Sequence, residues 1–174
     1  MVVGMTMAST ATSKYSLKQY LLPDSQSRIV KRNANLSIVT EGKLDDAYKQ
    51  IEKELDIPVL VLSDAPSELQ FKKLFLGDEQ AILEFSYNGK SVYFEQAKML
   101  DTGGKTEVHI SDRKPCEEVY NFWLDKTVQI EENVLQDNLS EYSAQIKLDK
   151  SYYYLSGIME KEQFIRLVEE IIKY

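Results

Sequence analysis

The sequence predicts an α+β domain: an antiparallel meander of about six or seven strands, preceded by an amphipathic helix and closed by a C-terminal helix packed on the sheet. Three observations predict it. Leu44, Ala47, Tyr48, Ile51 and Leu55 recur at helical spacing. After Pro58 the apolar period shifts from about 3.6 residues to about 2. The chain then closes on KSYYYLSGIMEKEQFIRLVEEIIKY, a tyrosine-rich extended run followed by a helical apolar face.

Residues 1–15 read as a flexible N-terminal segment or the stub of a membrane span, and residues 16–174 as a single domain. Ser16–Leu22 suits a short helix, capped by Ser16 and stopped by Pro23. The amphipathic helix runs from about Lys43 to Leu55 and ends at Asp56-Ile57-Pro58. Val59–Leu62 is a short β-branched run. Residues 69–77 alternate, and Ala81, Leu83, Phe85 and Tyr87 share one strand face. Asn88-Gly89 then separates this strand from Val92, Phe94 and Gln96. Both central residues of a type I′ turn need positive φ, so Asn-Gly here predicts a hairpin. Thr106, Val108 and Ile110 alternate with Glu107 and His109, which places His109 on a polar strand face. Residues 116–135 fit either two strands or a helix followed by a strand. Glu141–Leu148 alternates, Asp149-Lys150 is a tight connection, and Ser151–Leu155 is the next strand. Tyr152 and Tyr154 then face one way and Tyr153 the other. Ser156-Gly157 should break the strand, and a helix should run from Glu160 to the end.

Composition narrows the function. The chain has 174 residues and a formal net charge of −7, with Lys and Arg scattered among acids. A nucleic-acid binder needs a basic stripe, so no nucleic-acid partner is expected. With one cysteine (Cys116) and one histidine (His109), there is no internal disulfide and no structural zinc site, which takes about four ligands. Pro115 and a charged loop separate the pair, so the plain reading is an incidental thiol and a strand histidine. No segment reaches the roughly 18 apolar residues of a membrane span. The opening MVVGMTMAST is nonetheless apolar and uncharged. It reads as the downstream end of a longer apolar segment or as a loose terminus.

The adjacent acids Glu117-Glu118 and Glu131-Glu132 face opposite ways on a strand and read as solvated charge. Gly103-Gly104 opens no helix, so no phosphate loop is expected. Asn35 and Asn138 match glycosylation acceptors, a short motif that also occurs by chance.

The run YYYLSGIMEKEQFIRLVEEI resembles the C-terminal signature of the bacterial family catalogued as domain of unknown function 4367: a tyrosine strand, a small-Gly turn and a helix with an acidic start. LEFSYNGKSVYFEQ is similar to that family's first hairpin. The resemblance spans about residues 57–174. Two positions depart from it: Met159 stands where a capping Ser is common, and AQIKLD lacks a frequent tryptophan. The resemblance implies an extracytoplasmic domain of a Gram-positive bacterium, C-terminal to a single span and sometimes on proteins that look like anti-sigma factors.

The expected function is therefore a non-catalytic extracytoplasmic domain of a membrane-tethered protein, used for sensing or protein contact. No catalytic, metal or cofactor residues are expected. The partner is a protein or a cell-envelope ligand, and the membrane enters only through an N-terminal anchor. The alternative is a lipid- or peptide-binding carrier gripping its ligand under the terminal helix; an open apolar groove there would favour it. A small hydrolase ranks behind both, and a cytoplasmic location is the alternative to the envelope. Trp123 and Tyr153 are the expected interaction residues, as exposed aromatics near the sheet edge.

Overall fold

The computed structural model describes residues 37–40, 42–99, 113–135 and 139–174. The expected Ser16–Leu22 helix, the strand carrying His109, Gly103-Gly104, Asn35 and Asn138 lie outside these residues. The described elements are β1 (Ser37–Thr40), α1 (Leu44–Leu55), β2 (Leu60–Leu62), β3 (Leu69–Leu76), β4 (Gln80–Tyr87) and β5 (Lys90–Lys98). They continue with β6 (Lys114–Asn121), β7 (Lys126–Val134), β8 (Ser140–Leu148), β9 (Ser151–Ile158), α2 (Lys161–Glu169) and β10 (Ile171–Lys173).

The fold is α+β with an antiparallel sheet and a helix near each end, as the residue pattern predicts. Among the described residues the sheet has eight strands in the order β1-β3-β4-β5-β9-β8-β7-β6, and β10 pairs with β2 in a separate two-stranded ribbon. Two meanders, β3-β4-β5 and β6-β7-β8-β9, join where β9 pairs antiparallel with β5. Residues 116–135 resolve as the β6–β7 hairpin, with no helix among them.

Period-2 alternation builds the core. Leu83, Phe94, Leu155, Ala144 and Ile130 are successive register partners across β4, β5, β9, β8 and β7. All are buried on one face. The apolar stripe of α1 (Ala47, Tyr48, Ile51, Leu55) is buried against this core, with α1 lying over β3 and β4. Phe164, Leu167 and Val168 of α2 are buried in the same cluster, over β6 and β8. The Asn-Gly turn forms as expected, with φ of 47° at Asn88 and 76° at Gly89.

The C-terminal stretch departs from its expected form twice. Ser156-Gly157 does not break the strand, because β9 runs on through both residues to Ile158. Gly157 sits opposite Val92 in the register. A Cβ there would lie 2.6 Å from Val92 Cγ2, so the glycine admits a close strand approach. The terminal helix also stops early. It ends at Glu169, and Ile171–Lys173 turn into a strand antiparallel to Leu60–Leu62. The apolar residues of this segment suit a helix face, but pairing with β2 satisfies the backbone along one side, and Ile171 is completely buried.

Gly157→Ala should cost about 1–3 kcal/mol by overpacking. Urea unfolding of the single variants and of the Val92→Ala double variant checks this. The alanine's penalty should shrink in the Val92→Ala background, where both Val92 γ-methyls are gone.

Candidate interaction site

The β6–β7 turn reads Tyr120-Asn121-Phe122-Trp123-Leu124-Asp125. Turns normally carry Gly, Pro, Asn, Asp or Ser, each supplying a backbone shape or a local hydrogen bond. Here only Asn121 and Asp125 do that work. Asp125 takes the left-handed conformation, with φ of 51°. Asn121 is fully buried, and its Oδ1 accepts the Leu124 N–H at 2.8 Å. Its Nδ2 donates to the carbonyls of Val168 at 2.7 Å and Ile171 at 2.8 Å. Leu124 is buried beside it. One side chain thus closes the turn and fastens it to the junction of α2 and β10.

The end of β6 and the turn together leave three aromatic rings in solvent. Phe122 is 76% exposed, Trp123 60% and Tyr120 54%. Phe122 and Trp123 pack edge to face with centroids 6.0 Å apart. The Trp123 indole N–H donates to Glu170 Oε2 at 3.1 Å. The Tyr120 hydroxyl donates to Asp125 Oδ1, and this bond raises the phenol pKa above its ordinary value. Each polar handle is held by a neighbouring carboxylate.

Of the two expected interaction residues, only Trp123 lies on this surface. Tyr153 is fully buried, and its hydroxyl donates to the Pro58 carbonyl. The expectation of an exposed Tyr153 near a sheet edge fails because β9 is an interior strand. Its register places Tyr153 opposite Gln96 and Ile146, toward the ribbon. Tyr120 and Phe122 are missing from the sequence reading. Their signal was the crowding of three aromatics into four residues, Tyr120 to Trp123.

Cys116, Glu117 and Glu132 are tied into structure. Cys116 is half-buried, and burial pushes its thiol up, away from the nucleophilic thiolate. Glu117 pairs with Lys161 at 3.0 Å. Glu132 accepts hydroxyls from Ser140 at 2.5 Å and Tyr142 at 3.2 Å. These two carboxylates are therefore local partners as well as strand charge. Among the described residues, no three His, Cys, Asp or Glu side chains group as a metal site.

A cleft of about 340 Å³ opens at the start of α2, lined by Tyr87, Leu139, Tyr142, Met159, Glu160 and Lys161. Tyr87 donates to Glu160 Oε2 at 2.6 Å. That bond holds the Glu160 carboxyl below its usual range and pushes the Tyr87 phenol up to about 12. Glu160 is the N-cap of α2, but its carboxylate makes no capping bond. The interface under α2 itself is filled, with Phe164 fully buried and its ring 5.8 Å from that of Tyr142. A carrier groove beneath the helix therefore has no room along this contact.

Asn121→Ala should destabilise the domain by about 2–4 kcal/mol, because it leaves buried backbone groups unpaired. The emission anisotropy of Trp123, the chain's one tryptophan, should fall even under conditions where the fold persists. Alkaline titration provides a separate check. Burial pushes Tyr153 and Tyr154 up to about 12. An unfolded tyrosine ionises near about pH 10. Between those values the unfolded state binds fewer protons, so stability falls as pH rises from about 10 through about 12. Tyr154→Phe should flatten part of that slope in pH-dependent urea unfolding, with little change at neutral pH.

Comparison with family models, with curated proteins and with solved structures gave no match.

Proposed function

We propose that this is a non-catalytic contact domain whose β6–β7 tip meets a protein partner. The observation that carries the reading is the tip, where Phe122 and Trp123 stand in solvent on a turn fixed by buried Asn121. Exposed aromatics on a tight turn contribute nothing to the core and favour unwanted association. Rigid aromatic anchors are also what protein interfaces use as hot spots, because little entropy is lost when they dock. The breach of ordinary turn chemistry at this point supports a functional role over a structural one.

The family resemblance of the tyrosine strand and the Asn-Gly hairpin supports an extracytoplasmic, membrane-tethered setting in a Gram-positive cell, with an anti-sigma-like context as its narrower form. Among the described residues no helix is long and apolar enough to cross a membrane, so an anchor would lie elsewhere in the native protein. The second reading is a small amphipathic ligand held in the cleft at the start of α2, favoured by its volume and mixed lining.

Two measurements test the proposal. A photo-crosslinker at position 122, introduced in the source cell, should give a discrete protein adduct that Trp123→Ala removes. A crosslinker on exposed Lys53 of α1 should not give it. Absence of any position-122 adduct overturns the contact reading. The intact mass of the native chain in membrane and soluble fractions tests the setting. A longer, membrane-fractionating chain supports the tether, and a soluble product beginning at Met1 overturns it.

A further inference from the structure

We infer that the tip recognises an arginine-bearing segment of its protein partner. This rests on the contact reading above and names the chemistry of that contact. Two of the three aromatic rings hold a carboxylate at their edge. Glu170 holds the Trp123 indole N–H, and Asp125 holds the Tyr120 hydroxyl. Glu118 is exposed two positions before Tyr120, on the same side of β6. Lys126 flanks the turn opposite Asn121, and nearby Arg166 is already answered by Asp64. The chain as a whole carries −7.

The geometry joins two recognition elements. A donor bond from the ring edge to a carboxylate leaves more electron density on the ring, which strengthens its attraction for a cation over its face. The Trp123 and Tyr120 edges are both held this way. A cation stacked on Trp123 would also lie near Glu170. A planar guanidinium meets both demands, because it stacks on an aromatic face and directs several N–H groups at a carboxylate. The apolar Phe122 beside it suits an aliphatic neighbour on the same partner segment. The acidic rim opposes an anionic lipid surface, so a membrane is the weaker occupant.

Trp123 is the only tryptophan, so its emission reports the tip directly. The whole chain is titrated with the peptide amide (Leu-Arg)₃ and with (Leu-citrulline)₃, in which a neutral urea replaces each guanidinium. Phosphatidylcholine and phosphatidylglycerol vesicles are run in parallel. The arginine peptide should give a saturable shift, with the citrulline peptide weaker by about tenfold or more. Glu170→Gln should weaken the arginine peptide about two- to fivefold, while the circular dichroism spectrum is unchanged. Binding should weaken with added salt. Equal binding of the two peptides, no response to the arginine peptide, or a response to vesicles alone would overturn the inference. The crosslinking result separates the two claims. A position-122 adduct together with indifference to arginine sinks the cation chemistry and leaves the contact reading standing.

Discussion

Buried backbone groups must find hydrogen-bond partners, and the β2–β10 ribbon imposes this demand most heavily on the structure. The ribbon lies in the core cluster, and its strands are three residues each, so they satisfy one another along one side only. Several groups in and beside the ribbon are met by side chains. Gln96, fully buried in β5, accepts the Leu60 N–H at 3.0 Å and donates to the Leu60 carbonyl at 2.8 Å. It pairs with β2 as a neighbouring strand would. The Leu62 N–H donates to the Tyr48 hydroxyl at 3.3 Å, and Tyr153 supplies the Pro58 carbonyl. Asn121 takes the carbonyls of Val168 and Ile171. Ser63 donates its N–H and its hydroxyl to the Glu170 carbonyl.

These bonds explain where the last helix ends. The Val168 carbonyl is turned to Asn121, and Glu170 is the C-cap, with its N–H bonded to the Arg166 carbonyl. The chain then has to enter the ribbon. Tyr174 completes the closure. Its N–H donates to the Val59 carbonyl at 2.8 Å, and its ring lies 5.7 Å from that of Tyr48. Its hydroxyl donates to Asp45, so Tyr174 is joined to α1. Polar atoms thus set the position of an element whose side chains are almost wholly apolar.

The same network links fold to surface. Asn121 serves the ribbon with its Nδ2 and the turn with its Oδ1, so one residue stabilises the core and sets the direction of Phe122 and Trp123. A surface built this way keeps its shape before a partner arrives, which reduces the entropy lost on docking. The buried tyrosines belong to the same economy of polar groups. Tyr48 presents its hydroxyl to the Leu62 N–H of the ribbon and Tyr153 to the Pro58 carbonyl just before it, which a phenylalanine could not do.

The sequence by itself determined the elements whose cause is local. α1 follows from its apolar stripe, the β4–β5 hairpin from Asn88-Gly89, and the β8–β9 hairpin from alternation on either side of Asp149-Lys150. The α+β class follows from the change of period. Tertiary structure decided the rest. Tyr153 alternates away from its neighbours in any strand, but only the insertion of β9 between β5 and β8 makes it buried rather than marginal. Ile171 and Ile172 suit a helix face until β2 offers a backbone to pair with. Gly157 looks like a breaker until Val92 stands opposite it. Trp123 was legible as an aromatic on the surface, in a stretch (residues 116–135) that fits either two strands or a helix followed by a strand. Its exposure, the rings beside it and the carboxylates around them depend on contacts across long stretches of chain, such as Asn121 with Val168 and Trp123 with Glu170. Periodicity records which face of an element is apolar. It carries no record of which distant backbone or side chain that face will meet.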